Sequence, residues 1–536
     1  MASNRTHALI GWRRARLAAG LAVAGAIALL IVALLAAMAM SAGRGGSGAA
    51  TPAIAHLLRM SAIQAGLSTI LSILAGMAIA WALDRLAFPG RGLLVALFAA
   101  ALVLPSVVVA AGLLSVWGRN GWINHMLEPL TGLSLGSSAY GLGGILAAHV
   151  LLNGAFAARV LLARLEALPA NRLKLGQSLG LDALTRFVVL DWPVIRSSLP
   201  GLAATIFLLC FTSFAIVLVL GGGPANQTFE VAIYSAVRLD FDLGAAVRLA
   251  VIQLVVCSAI ILPASTLAPT TALAGATRPT TWRDGPRPRL LASTVIVLGG
   301  LGYVLPIGGV VADGLRPSLA ALLTSPQFRS AAITSLAVGA GSALLTLALA
   351  LTLATARAAS RNRTQRIALG LPAFAYLAVP AVVLSLGFFL VVRAMGLPSG
   401  TLAPVVLILA NALMSLPFAM STLAPPIEAI NNRYTRLSRA LGLTATQHFT
   451  LVEWPLIGRE TGIVLALGFC FSLGDLGVIS LFGTEHFSTL PWLMLRALGA
   501  YRSDDAAGVG LVLLIISLSV FLMVPYLFDR GRHART

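Results

Sequence analysis

The chain has 536 residues, of which 58% are hydrophobic and only 10% charged, and its mean hydropathy is +0.93. A soluble domain carries about 25% charged residues, so a chain this long and this depleted needs lipid as its solvent. Its 37 Lys and Arg against 18 Asp and Glu, a net charge of +19, would point to nucleic acid in a soluble protein; in a membrane protein the same excess belongs to short cytoplasmic loops, and no nucleic-acid partner is expected.

Apolar runs predict twelve spans. The first six lie at about 17–41, 56–84, 92–117, 138–164, 198–220 and 246–270, the second six at about 288–312, 330–356, 367–392, 400–424, 460–483 and 506–528. Each can cross a hydrocarbon core of about 30 Å. Lipid offers the backbone no hydrogen bonds, so such segments are helices, and the ten-residue alternation of a barrel is absent. The fold class is an all-α polytopic membrane protein. The first run follows Arg13, Arg14 and Arg16 and continues to Ser41, too long for a signal-peptide core, so it reads as an uncleaved helix. With the N-terminus in the cytoplasm, 27 of the 37 basic residues fall on inner segments. The positive-inside bias therefore puts both termini in the cytoplasm of a multi-pass inner-membrane protein. Residues 271–288, rich in Pro, Thr and Arg, read as a cytoplasmic linker between units at 1–270 and 289–536.

Two long inner loops match each other. Residues 166–193 read EALPANRLKLGQSLGLDALTRFVVLDWP and residues 428–455 read EAINNRYTRLSRALGLTATQHFTLVEWP, without a gap, at a constant offset of 262. The register pairs Glu166 with Glu428, Leu179 with Leu441, Gly180 with Gly442, Leu181 with Leu443, Asp182 with Thr444, Phe187 with Phe449, and Trp192-Pro193 with Trp454-Pro455. Duplication explains this; two independent loops would not share so many positions. Gly180 and Gly442 follow helix-forming segments, where glycine takes the left-handed C′ conformation. Asp182 and Thr444 then suit the N-cap of a short new helix. Trp-Pro is expected to end that helix, after which the chain returns into the membrane. A helix presented this way at the cytoplasmic surface suits docking into a partner's groove.

The loops resemble the EAA loop of binding-protein-dependent ABC importer permeases, typically EAA-x3-G-x9-I-x-LP. Leu179-Gly180 and Leu441-Gly442 match its glycine turn, and Pro193 and Pro455 its proline region. The glutamate usual six residues before the glycine is replaced by Lys174 and Arg436, and the first alanine by Leu175 and Leu437. The resemblance implies that each short helix is a coupling helix seated in a separate ATPase subunit. The chain itself has no P-loop: its one lysine, Lys174 in RLKLGQ, does not fit G-x4-G-K-[ST]. No bound cofactor and no enzymatic activity are expected of it, and ATP hydrolysis falls to another chain. Cys210, Cys257 and Cys470 sit in apolar runs and offer neither a disulfide framework nor metal-ligand spacing.

Further segments are similar to the permeases of thiamine ABC importers: Phe88-Pro89-Gly90-Arg91, LSVWGRNGW at 114–122, LGGGP at 220–224, GDLGVISLFG at 474–483 and YRSDDAA at 501–507. Their order spans the chain. The resemblance implies two fused six-helix type I permease units, a periplasmic thiamine-binding protein on the outer face, and an ATP-binding subunit dimer on the coupling helices. Ferric-iron permeases of the same fused plan are the alternative within the class, and a twelve-helix secondary transporter the alternative outside it. Asp475 is the candidate on the translocation path, because charge inside a span marks function. Its aligned position in the first unit, at an offset of 260, is Ala215. Trp117, Arg119 and Trp122 suit an interfacial belt, and the outer loops at 221–245 and 484–505 are candidate contacts for a binding protein.

Overall fold

The structure is a computed structural model that describes residues 2–42, 54–132, 138–264, 282, 284–316, 319–376, 378–485 and 487–533. All its regular elements are helical. Most of the expected linker, 271–281 and residue 283, lies outside the described residues.

In chain order the first half contributes α1 (Ala2–Ala42), α2 (Ile54–Arg85), α3 (Arg91–Ala100), α4 (Ser106–Trp117), α5 (Trp122–Thr131), α6 (Leu142–Glu166), α7 (Ala170–Ser178), α8 (Ala183–Phe211), α9 (Ala215–Leu220), α10 (Phe229–Arg238) and α11 (Leu243–Ala264). The second half contributes α12 (Pro286–Gly314), α13 (Leu319–Thr324), α14 (Pro326–Ala359), α15 (Arg363–Ala375), α16 (Ala381–Ala394), α17 (Ser399–Ala440), α18 (Ala445–His448), α19 (Gly458–Leu473), α20 (Gly477–Phe482), α21 (Leu490–Gly499) and α22 (Ser503–His533). Ten helices among the described residues are long and apolar enough to cross a membrane. The remaining two expected spans are broken rather than missing. The third bends by 116° between Arg91–Val103 and Ser106–Thr131, and the ninth divides into α15 and the short apolar α16. Proline causes both breaks: Pro105 (ψ 126°) and Pro380 (ψ 152°) stand extended immediately before α4 and α16. A proline supplies no N–H, and its ring drives the preceding residue out of helix.

Packing crosses between the halves. α1 lies against α14, α15 and α16 of the second half, and α12 lies against α2 and α4 of the first. The leading helix of each half is thus exchanged. Within the halves, α2 packs on α6 and α8, and α14 on α17 and α19. These contacts are close because small residues face one another, the means by which helices associate in lipid. A Cβ placed on Gly76 of α2 would lie 2.8 Å from the Gly154 carbonyl of α6. The duplication continues into the bundle. Ser68 bonds His149 (2.9 Å) beside Cys210 in the first half, and Asn411 bonds Ser472, which bonds Ser342, in the second. His149 and Asn411, and Cys210 and Ser472, keep the offset of 262.

Candidate coupling segments and the contacts between halves

Each matched loop folds as helix, glycine turn and short helix. At the end of α7, Gly180 has φ +66°, its N–H bonds the Gln177 carbonyl, and the Leu181 N–H bonds the Gly176 carbonyl at 3.1 Å. That pair of bonds is a Schellman motif. At the end of α17, Gly442 has φ +68° and the Leu443 N–H bonds the Ser438 carbonyl at 3.0 Å. At Gly180 nothing lies within 4 Å of an added Cβ. It is the backbone conformation that selects glycine here. Asp182 caps α8, its Oδ1 accepting the Thr185 N–H at 3.1 Å, and hydrogen bonds from the Thr185 side chain and then its backbone hold the carboxyl below its ordinary range. Thr444 and Gln447 cap α18 reciprocally: Thr444 Oγ1 accepts the Gln447 N–H (3.3 Å), and Gln447 Oε1 accepts the Thr444 N–H (2.9 Å), a capping box.

The expectation that Trp-Pro ends the short helix is corrected. In both copies the helix widens into a π-turn, Phe187–Asp191 and Phe449–Glu453, and runs on. Trp192-Pro193 and Trp454-Pro455 open the next helical stretch. Pro193 and Pro455 donate no N–H to the ladder, and the π-turn immediately before each is where the regular i→i−4 bonding is interrupted. Phe187 packs on Trp192 and Phe449 on Trp454, with ring centroids 6.3 and 5.9 Å apart. Leu179 and Leu441 are 68% and 65% exposed, and Leu175, Leu184, Leu437 and Leu451 are exposed beside them. Each segment therefore shows an apolar surface on a rigid, capped scaffold. Glu166 and Glu428 anchor the two copies alike, Glu166 to Arg91 (2.8 Å) and Glu428 to Arg357 (2.9 Å) and Arg366 (3.1 Å).

Asp475 sits in the break between α19 and α20. Its two carboxylate oxygens accept the Val478 and Ile479 N–H groups at 3.1 and 3.3 Å, so it caps α20. Gly474 beside it lies against Pro105 of the first half. The helix ends realign its counterpart: Phe211 and Leu473 close the matching helices, which pairs Asp475 with Ser213 at the offset of 262 and not with Ala215. The loops at 221–245 and 484–505 contain helices α10 and α21. Asp242 caps α11 through the Ala245 N–H, Arg502 pairs with Asp505, and Asp504 with Arg316. Arg119 stacks on Tyr140, and Trp117 and Trp122 flank the turn between α4 and α5.

A relative from Brucella melitensis, named thiamine transport system permease protein ThiP, is 40% identical over 528 residues, 96% of each chain. ThiP of Escherichia coli is 37% identical over 90% of each chain, and that of Haemophilus influenzae 33% over 88%. This chain belongs to the ThiP family of transport permeases. No family model matches it. As a ThiP-family chain it is a multi-pass membrane subunit of a transport system that has other components.

Four further groups in this ThiP-family chain escaped the reading of its sequence. Asp191 and Glu453, in register in the repeat, are wholly buried on the π-turns. Arg16 holds Glu453 through both guanidinium nitrogens (2.8 and 2.6 Å), and His448 Nε2 lies 3.4 Å away. Burial alone would raise this carboxyl; the bonds from His448 and Arg16 outweigh it and hold the group at about 2. The signal was available, because FVVLDWP and FTLVEWP both carry an acid before Trp-Pro. Glu230 and Arg238, at opposite ends of α10, left no such signal. Buried Glu230 accepts from Gln253 (3.1 Å) and from the Val382 N–H (3.3 Å) at the start of α16. Arg238 donates to the Ser480 (2.8 Å) and Gly483 carbonyls at the end of α20. A carboxyl thus meets the start of α16 and a guanidinium the end of α20, both helices of the other half. Burial pushes Glu230 up to about 8, so its contact near neutral pH is a hydrogen bond, and only Arg238 brings a charge to a helix end.

Proposed function

We propose that this chain is the membrane permease of an ATP-driven importer of thiamine. In this reading a periplasmic binding protein delivers the substrate to the outer face and a separate ATPase dimer engages the two coupling segments. The relatives' printed name supports the substrate. The observation that carries the mechanism is the pair of capped helix–glycine–helix segments, alike in backbone and each presenting exposed leucines. Two alike surfaces fit two copies of one partner. ATP binding would draw the ATPase subunits together and move both coupling segments at once. The membrane halves would then alternate between inward-open and outward-open forms, and the partner can bias that equilibrium only by binding the two forms differently. Both termini lie in the cytoplasm in this reading, on the side of the coupling segments.

The test is reconstitution of the permease with its ATPase in proteoliposomes. Thiamine-loaded binding protein should stimulate ATP hydrolysis and thiamine accumulation together. Stimulation by a ferric-loaded binding protein and not by the thiamine-loaded one would overturn the substrate, and uptake without the ATPase would overturn the class.

A further inference from the structure

The acids beneath the coupling segments are tied to the opposite half of the molecule. Glu453 belongs to the second half, and Arg16, its bidentate partner, stands on α1, the leading helix of the first. Asp191 belongs to the first half and binds Arg85 at 2.9 Å; Arg85 binds Asp284 at 2.9 Å, immediately before α12, the leading helix of the second. Trp282, next to Asp284, covers the Arg186 guanidinium at 4.6 Å. Arg186 and His448, which approach the two acids at 3.6 and 3.4 Å, are again in register at the offset of 262. The primary cations are not in register, because Arg16 lies on α1 and Arg85 on α2. The two copies therefore reach the same connection by different residues. An exposed ion pair would hold nothing firmly. These are buried, and parting one leaves an uncompensated charge in a low-dielectric interior.

We infer that Arg16 and Glu453, and Arg85, Asp191 and Asp284, are positioning residues for transport. They bind each coupling helix to the exchanged leading helix of the other half, so that displacement of one coupling helix moves both halves. The inference rests on the coupling reading proposed above.

The test uses the whole complex in proteoliposomes and reads uptake per ATP hydrolysed, with ATPase subunits retained on the purified permease as the second readout. Glu453→Gln keeps the shape of the side chain and removes its charge. The ATPase should remain bound and active, while uptake per ATP falls about fivefold or more, the lower end of ordinary coupling energies. The charge-reversed pair Arg16→Glu with Glu453→Arg should recover uptake per ATP relative to either single reversal. The neutral pair Arg16→Gln with Glu453→Gln leaves no buried lone charge and covers the case in which a single variant fails to fold. A parental uptake-to-hydrolysis ratio in Glu453→Gln or in the neutral pair overturns the inference, as does loss of the ATPase from a folded Glu453→Gln permease, which would make the acid a support of the docking surface alone. Failure of the coupling reading is separable: a Gly442→Val permease with normal ATPase binding and uptake sinks that reading whatever the ion pairs do.

Discussion

Replacement of Gly442 by valine isolates one physical quantity. Its φ of +68° is left-handed, a conformation in which an L side chain is strained by its own backbone. Holding an ordinary L-residue in that conformation costs about 1–2 kcal/mol, and a β-branched residue more. The Schellman bond from Leu443 to Ser438 should therefore be populated less by a factor of roughly 5–30. The coupling helix would lose its fixed angle to α17, not its sequence. Asparagine tolerates the left-handed region, so Gly442→Asn should restore most of the loss with a bulkier side chain. The same change at Gly180, in the coupling segment of the other half and with nothing within 4 Å of an added Cβ, should add to give about 2–4 kcal/mol in the double variant. The assay is thiamine-stimulated ATP hydrolysis and uptake side by side in proteoliposomes. Equal behaviour of the valine and asparagine variants would refute the reasoning, because side-chain bulk and not φ would then be the cause.

Three other outcomes follow from the same contacts. Asp475→Asn keeps an acceptor for the start of α20 and should retain uptake, whereas Asp475→Ala should lower thermal stability by about 1 kcal/mol as a lost cap; loss of uptake in a fully stable Asn variant would show that the charge itself is required. Arg238→Ala removes two charge-assisted bonds across the halves, each worth about 1.5–3 kcal/mol, and should raise ATP hydrolysis in the absence of binding protein, with unchanged basal hydrolysis counting against the contact as a brake on separation. Glu453 is held at about 2 against an ordinary 4.5, so its contribution to stability is complete above about pH 4.5 and is lost as pH falls toward 2. Melting temperatures of the parent and of Glu453→Gln should therefore converge over that interval, and parallel profiles would refute the assignment.

Helix positions were legible because a span needs a long apolar run whatever it packs against. The glycine turns and N-caps were legible for the same reason: Gly180, Asp182, Gly442 and Thr444 act on their own backbone within a few residues. Pro105 and Pro380 were visible, yet the two runs containing them read as whole spans, since hydropathy is blind to a bend. The continuation through Trp-Pro was misread because a π-turn leaves no mark in hydrophobic period. Asp191 and Glu453 could have been found from their register alone. Glu230 and Arg238 could not, because their partners are main-chain groups of α16 and α20, and a main-chain partner has no sequence signature.

The duplication is best kept where partners would be alike and is lost where one substrate would pass. At the coupling segments the two halves share turn, π-turn, aromatic pair and buried acid, although one acid is held by α1 and the other through α2. Between the halves, α20 is capped by Asp475 at one end and by Arg238 of the other half at the far end. At the offset of 262 the counterpart of Asp475, ahead of the matching helix α9, is Ser213, which has no carboxylate to offer. Two identical ATPase subunits would impose equal demands on two surfaces and so would hold a repeat in register. A single asymmetric solute between the halves imposes no such equality. Contacts there would be free to diverge, as at Glu230 and Arg238, whose counterparts at the offset of 262 are Trp492 and Ala500.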